Sequence, residues 1–202
     1  MENRPIWAIN GPQGNALISK LSVEPETEAL ASASHKKAKK GEPYRFPFDV
    51  IIEATSQFGK LATVKSATPG SAHFQIASDE GAMLGGEGNA PTPLAYFTAG
   101  VGLCLMTHIT GYLKNSDLVI SRLKIEIRAN FHTTLGHVDK GNQGIGGCDG
   151  FETFVIIESD EPACRLKAFL EVCEEACIAS QTIAKAIPTR MNLVLNGSTS
   201  SE

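Results

Sequence analysis

The sequence predicts an α+β fold in which curved antiparallel sheets wrap two buried helices. Three observations predict it. Residues 45–78 alternate apolar and polar side chains with a period of two, interrupted by turn residues. No Asp, Glu, Lys or Arg occurs between Glu87 and Lys114, which reads as an apolar helix. A second strand-strand-helix run then fills the chain to Pro188. With 202 residues, 42% apolar and 20% charged, the chain can bury an ordinary core, so one domain with extras is expected. Its 18 basic against 22 acidic residues leave a net charge of −4, which is not a polyanion binder's balance.

Residues 1–44 form an N-terminal extension, expected to pack on the domain or on a partner subunit. Within it, Ala29–Lys40 reads as a short Ala-rich helix whose basic end, His35–Lys40, is a solvated helix terminus, and Gly41 and Pro43 stop it. The domain spans 45–196. Phe46, Phe48, Val50 and Ile52 alternate on a first strand, which turns at Gln57–Gly59 into a second strand through Leu61 and Val64. His73–Ser78 is the third. A Gly-rich loop, Gly81–Asn89, leads to a helix with Pro93 in its first turn and its end near Leu113. Leu118–Thr133 is a long strand with Ile125 and Ile127 on one face and Glu126 and Arg128 on the other.

The glycines at 136, 141, 144, 146, 147 and 150 make residues 135–150 a loop or hairpin tip. Phe151–Ser159 returns as a strand. Pro162 opens a helix through Leu166, Phe169, Leu170 and Cys173, which continues or restarts at Cys177–Ile187. A last strand, Met191–Leu195, precedes the polar tail 197–202.

The N-terminus lacks a basic start followed by an apolar run, so cytoplasm is the expected compartment. Pro91, Pro93, Thr98, Gly100, Gly102, Thr107, His108 and Thr110 suit the uncharged helix to a protein interior rather than a membrane. The five cysteines, Cys104, Cys148, Cys164, Cys173 and Cys177, are odd in number and contain no C-x-x-C pair. Buried or redox-active thiols in a reducing compartment fit this pattern.

Two local patterns carry a resemblance. Gly88-Asn89-Ala90-Pro91-Thr92-Pro93-Leu94, followed by Cys104, looks like the Gly-x-x-Asn-Pro-Glu-x-Leu helix start of the osmotically inducible protein C and organic hydroperoxide resistance (OsmC/Ohr) family. Ala176-Cys177-Ile178-Ala179-Ser180-Gln181 looks like that family's Cys-Pro-Val-Ser segment. The chain therefore resembles a divergent OsmC-like member over about residues 46–196. The resemblance implies an intertwined homodimer with its sites at the subunit interface. It also implies a thiol-dependent peroxidase acting on organic hydroperoxides. Cys104 would attack the O–O bond and Cys177 would resolve the sulfenic acid as a disulfide. A dithiol such as a lipoyl protein would return the electrons. No cofactor, nucleic acid or membrane partner is expected.

The chain departs from the family at two positions. Lys60 stands at the family's thiolate-stabilising Arg and Leu94 at its Glu, so a point charge replaces a bidentate fork and its carboxylate is gone. Glu87 is a candidate replacement for that carboxylate, and Ser180 is a supporting residue. His108, one turn after Cys104, reads first as a histidine bonded inside the core and second as a base or ion-pair partner. Cys148 and Cys164 are taken as incidental. A metal site built from Cys104, His108, Cys173 and Cys177 is set aside, because neither a supporting carboxylate pattern nor a C-x-x-C clip accompanies them. The alternative function, favoured by Lys60 and Leu94, is a non-peroxidatic relative that binds an apolar or thiol-containing small molecule, its cysteines idle or sensory.

Overall fold

The alternation that begins near Arg45 builds β2 (Phe48–Ala54), β3 (Lys60–Ser66) and β4 (His73–Ser78) as an antiparallel meander. The computed structural model describes residues 17–30, 38–134, 144–196 and 198–199. In it the chain divides into two compact units, Met1–Ala95 with Arg190–Glu202, and Tyr96–Thr189.

In the first unit a strand that the sequence did not announce, β1 (Ile18–Leu21), pairs antiparallel with β4, giving the order β1-β4-β3-β2. It closes a sheet edge that would otherwise present unpaired backbone groups. The extension is fastened further by Glu24, whose carboxylate meets Lys65 Nζ at 2.7 Å. The Lys65 side chain is 5% exposed, and a buried ammonium needs such a partner. Of the expected helix at Ala29–Lys40, residues 31–37 lie outside the described residues, and Ala29, Leu30 and Ala38–Lys40 are not helical.

This sheet has one apolar face and one mixed face. Registry places Val50, Val64 and Phe74 on one face together with Ile52, Ala62, Ile76 and Ile18. This is the apolar face, yet in the single chain Phe48 is 61% and Ile52 66% exposed. The opposite face is the more buried one and carries Thr63 and Lys65, with Gln75 Nε2 donating to Thr63 Oγ1 at 3.2 Å.

Asp79 organises the Gly-rich loop. Its carboxylate accepts the backbone N–H groups of Glu80 (2.8 Å), Glu87 (3.1 Å) and Asn89 (3.2 Å), folding 80–89 around one buried side chain. Burial alone would raise its pKa, but the N–H groups of Asn89, Glu80, Glu87 and Gly88 together outweigh burial and hold it below the usual carboxylate range. The loop delivers Thr92, whose Oγ1 accepts the N–H of Ala95 at 3.3 Å. Thr92 thus caps the helix that Pro93 opens, the pairing that an N-cap Thr and a first-turn Pro favour.

That helix, α1 (Pro93–Leu113), has the bounds the sequence predicts. In the second unit it lies with the hairpin β5 (Arg122–Thr133) and β6 (Gly146–Glu158), and with α2 (Ala163–Ala176) and α3 (Ile178–Ala184). Leu105 and Ile109 of α1 meet Cys173 and Cys177 at the core, ringed by Leu123, Ile125, Val155, Phe169 and Leu170. Gly102 permits the approach of helix to strand, since a Cβ there would meet Ile127 Cδ1 at 3.0 Å. Ile109 is 0% exposed, but within α1 only it, Val101 and Leu105 are buried. The helix expected in the interior therefore leaves most of its surface open in one chain. By length and composition alone it could also cross a membrane.

β6 begins earlier than the expected hairpin tip. Gly146–Gly150 are strand residues, because the long β5 continues to pair with them and Gly147 lies opposite His132. A Cβ at Gly147 would fall 2.4 Å from His132 Nε2, so the glycine makes room for a cross-strand ring rather than a turn. Residues 135–143 lie outside the described residues. The last strand is shorter than expected, with Val194–Leu195 (β7) pairing with Ser198–Thr199 (β8).

Replacing Asp79 by Asn removes one anionic acceptor and turns an amide donor toward N–H groups, and is expected to destabilise the protein by about 1–3 kcal/mol. The folded carboxyl titrates below its unfolded value of about 3.9, so its contribution is complete above that pH and is lost as pH falls through the folded pKa. Thermal melts of wild type and Asp79→Asn should differ at neutral pH and converge in that acid window.

Candidate functional site

Helical spacing puts Cys104 and His108 one turn apart on α1, beside Leu105 and Ile109, which enter the core. The partner sulfur comes from an interruption. Cys177 has φ −70° and ψ 109°, an extended residue between α2 and α3. Its N–H donates to Glu174 O at 3.1 Å and its carbonyl accepts Gln181 N–H at 2.9 Å, so the backbone closes neatly on both sides of the break. The Cys177 side chain is buried. Cys104 Sγ, Cys177 Sγ and a His108 ring nitrogen all lie within 4.8 Å of one another.

Each group has a defined partner. The break frees the N–H groups of Ile178 and Ala179 from intrahelical acceptors, and both lie near enough to the Cys104 sulfur to favour its thiolate. His108 Nδ1 lies 2.9 Å from the carbonyl oxygen of Cys104. A carbonyl can only accept, so Nδ1 carries the proton and, in the neutral ring, Nε2 carries the lone pair. Burial pushes the Cys104 thiol above its ordinary range, and the neighbouring Cys177 adds to the rise; the amides of Ala179 and Ile178 pull in the other direction and do not prevail.

A cavity of about 240 Å³ is lined by Leu105, Thr153, Val155, Leu170, Glu174 and Ser180, of which Leu105 follows Cys104 on α1. Ser180 thus lines the cavity. Cys173 is buried in the core, where burial raises its pKa, whereas Cys148 and Cys164 are exposed.

Lys60 is in the first unit, and its Nζ donates to Glu80 Oε1 at 3.0 Å, with the two side chains 30% and 19% exposed. Two expectations are corrected. The cation does not lack an anion, and the carboxylate that holds it is Glu80 rather than Glu87, whose Oε2 accepts from Asn89 Nδ2 at 2.6 Å. The antiparallel sheet registers Lys60 opposite Ser78, which brings Glu80, just past the end of β4, within reach. A sequence signal existed: a Lys opening one strand of a hairpin and an acid just past the end of the next fall at the same end of the pair.

The family model for "OsmC-like protein" matches residues 86–192, more than half of the chain. No curated protein matches the sequence significantly. Among solved structures, an OsmC-like hydroperoxide resistance protein from Jannaschia sp. is 27% identical, with 75% of this chain and 95% of that one covered and a TM-score of 0.49. An OsmC-like protein from Mycoplasma pneumoniae is 16% identical over 71% and 89% of the two chains, with a TM-score of 0.50. An organic hydroperoxide resistance protein OsmC from Legionella pneumophila is 19% identical over 67% and 88%, with a TM-score of 0.45.

Because burial and Cys177 raise the Cys104 pKa, its alkylation by iodoacetamide should still be accelerating above the free-cysteine value of about 8.5. Cys177→Ala removes one of the two raising influences and should move the Cys104 midpoint down. Mass-resolved alkylation rates across pH 6–10 check both outcomes.

Proposed function

Because the chain belongs to the OsmC-like protein family, we propose that it is a thiol-dependent peroxidase that reduces organic hydroperoxides. The carrying observation is the convergence of Cys104 and Cys177, from separate elements, to within 4.8 Å of each other. The Cys104 thiolate attacks one peroxide oxygen, the O–O bond breaks, and the leaving alkoxide takes a proton to give the alcohol. Cys104 is then a sulfenic acid. The Cys177 thiolate attacks its sulfur, hydroxide leaves as water after protonation, and the resulting disulfide is the pair of thiols oxidised by the two electrons that the peroxide withdrew. A dithiol such as a lipoyl protein returns them. Two thiols are needed because an unresolved sulfenic acid oxidises further and irreversibly.

The His108 imidazole, with an unprotonated nitrogen in its neutral ring, is the base nearest these thiols in this reading, and the cavity at Leu105, Val155 and Leu170 is the room offered to the organic part of a small hydroperoxide. Lys60 takes the thiolate-stabilising role by its family position. That position lies outside the stretch the family model matches. Its pairing with Glu80 supports the role by reproducing the cation-carboxylate pair that Leu94 disrupts at the family position. The raised Cys104 pKa favours a second reading, a binding protein with idle thiols, and makes slow turnover the peroxidase expectation.

The functional molecule in this reading is a soluble cytoplasmic homodimer. A second copy would cover the exposed apolar face of Phe48, Val50 and Ile52 and the open surface of α1. Sedimentation at micromolar protein should give a dimer; a stable monomer would remove that part of the reading.

Stopped-flow reaction with cumene hydroperoxide tests the chemistry. Wild-type Cys104 should react faster than free cysteine by no more than about tenfold, because a charged group that lowers the pKa by about one to two units works against the burial that raises it. Lys60→Met should abolish most of that gain and Glu80→Gln part of it. A wild-type rate equal to free cysteine, unchanged in Lys60→Met, would transfer the protein to the binding reading.

A further inference from the structure

The same cluster has the chemistry of a metal site, and the structure supplies the support whose absence from the sequence told against one. Two sulfurs and an imidazole converge within 4.8 Å. Around a tetrahedral zinc ion with Zn–S of about 2.3 Å and Zn–N of about 2.0 Å, donor atoms stand roughly 3.5–3.8 Å apart. Closing that difference takes about 1 Å of side-chain adjustment. A metal-binding histidine characteristically donates its other ring N–H to a carboxylate or backbone carbonyl, which fixes the tautomer and the ring plane. His108 does this, with Nδ1 at 2.9 Å from Cys104 O, leaving Nε2 as the lone-pair atom. The backbone N–H groups of Ile178 and Ala179, which favour the Cys104 thiolate, would share the charge of a coordinated sulfur.

We propose that the reduced protein binds one Zn²⁺ per chain through Cys104 Sγ, Cys177 Sγ and the His108 imidazole, with a fourth position open to water or a small ligand. Two sulfurs and one nitrogen select a borderline ion over Mg²⁺ or Ca²⁺, which take oxygen. Binding converts two thiols to thiolates and releases two protons, so one zinc replaces the two hydrogens that a disulfide would lose to an oxidant. The ion and the disulfide compete for the same sulfurs. The site is the one assigned to peroxide reduction, but its metal affinity does not depend on that chemistry.

Equilibrium dialysis of the fully reduced full chain against micromolar Zn²⁺, with Co²⁺ as spectroscopic probe, tests the proposal. The expected result is one metal per chain and a near-ultraviolet thiolate-to-cobalt charge-transfer band with tetrahedral visible bands. Cys104→Ser and His108→Gln should each weaken binding by at least the ten- to hundredfold that losing an outer partner costs. Cys148→Ser and Cys164→Ser should bind as wild type does. Because both weakened positions are only half-buried, circular dichroism of these variants separates ligand loss from unfolding. Zinc retained undiminished by folded Cys104→Ser and His108→Gln, cobalt bound without a thiolate band, or no metal bound by the reduced wild type would each overturn the proposal. Peroxide reactivity of the metal-free protein is measured separately, so failure of the zinc site and failure of the peroxidase reading give different results.

Discussion

The interruption at Cys177 is the constraint on which the site depends. A continuous helix through residues 163–184 would keep the N–H groups of Ile178 and Ala179 in its own ladder. Extended geometry at one residue releases them to favour the thiolate of Cys104. The same residue places a second, fully buried sulfur beside the first and joins Leu105, Ile109 and Cys173 in the core. Packing and chemistry are therefore coupled here: a change that straightens the helix would lose core contacts and the convergence of the three donor atoms together.

Electrostatics divide the labour between the units. In the second, burial and the neighbouring thiol make the Cys104 thiolate costly, and two neutral amides offset only part of that. In the first, charge is held tightly: Asp79 is anchored by backbone N–H groups, Lys65 is paired with Glu24, and Lys60 is paired with Glu80. Among the described residues of its own unit no cation offsets the burial of Cys104, and the proposed reaction takes its activation from Lys60 or from a metal ion. Those two routes have different consequences, because a cation at a distance leaves the sulfur lone pairs free whereas zinc occupies one of them.

Elements set by local rules were legible in the sequence. Pro93 marks the start of α1, the observed β4 has the bounds His73–Ser78 that the sequence predicts, and the alternation of Ile125 and Ile127 with Glu126 and Arg128 matches the observed faces of β5. Features set by tertiary pairing were not. β1 has four residues and exists because β4 offers an edge. Gly146–Gly150 look like a turn in isolation and become a strand because β5 is long enough to pair with them. The identity of the Lys60 partner required strand register. At the site, family resemblance points to the pair Cys104 and Cys177, whereas the support of His108 depends on where the fold places the Cys104 carbonyl.

The central claim is that Cys104 and Cys177 form one redox unit, and the most direct measurement is peptide mapping of the metal-free reduced protein after one equivalent of cumene hydroperoxide. The account predicts loss of two thiols per chain and a single Cys104–Cys177 disulfide, with Cys148, Cys164 and Cys173 still reduced. Persistence of both thiols, or a disulfide through Cys148 or Cys164 in place of that pair, would contradict it.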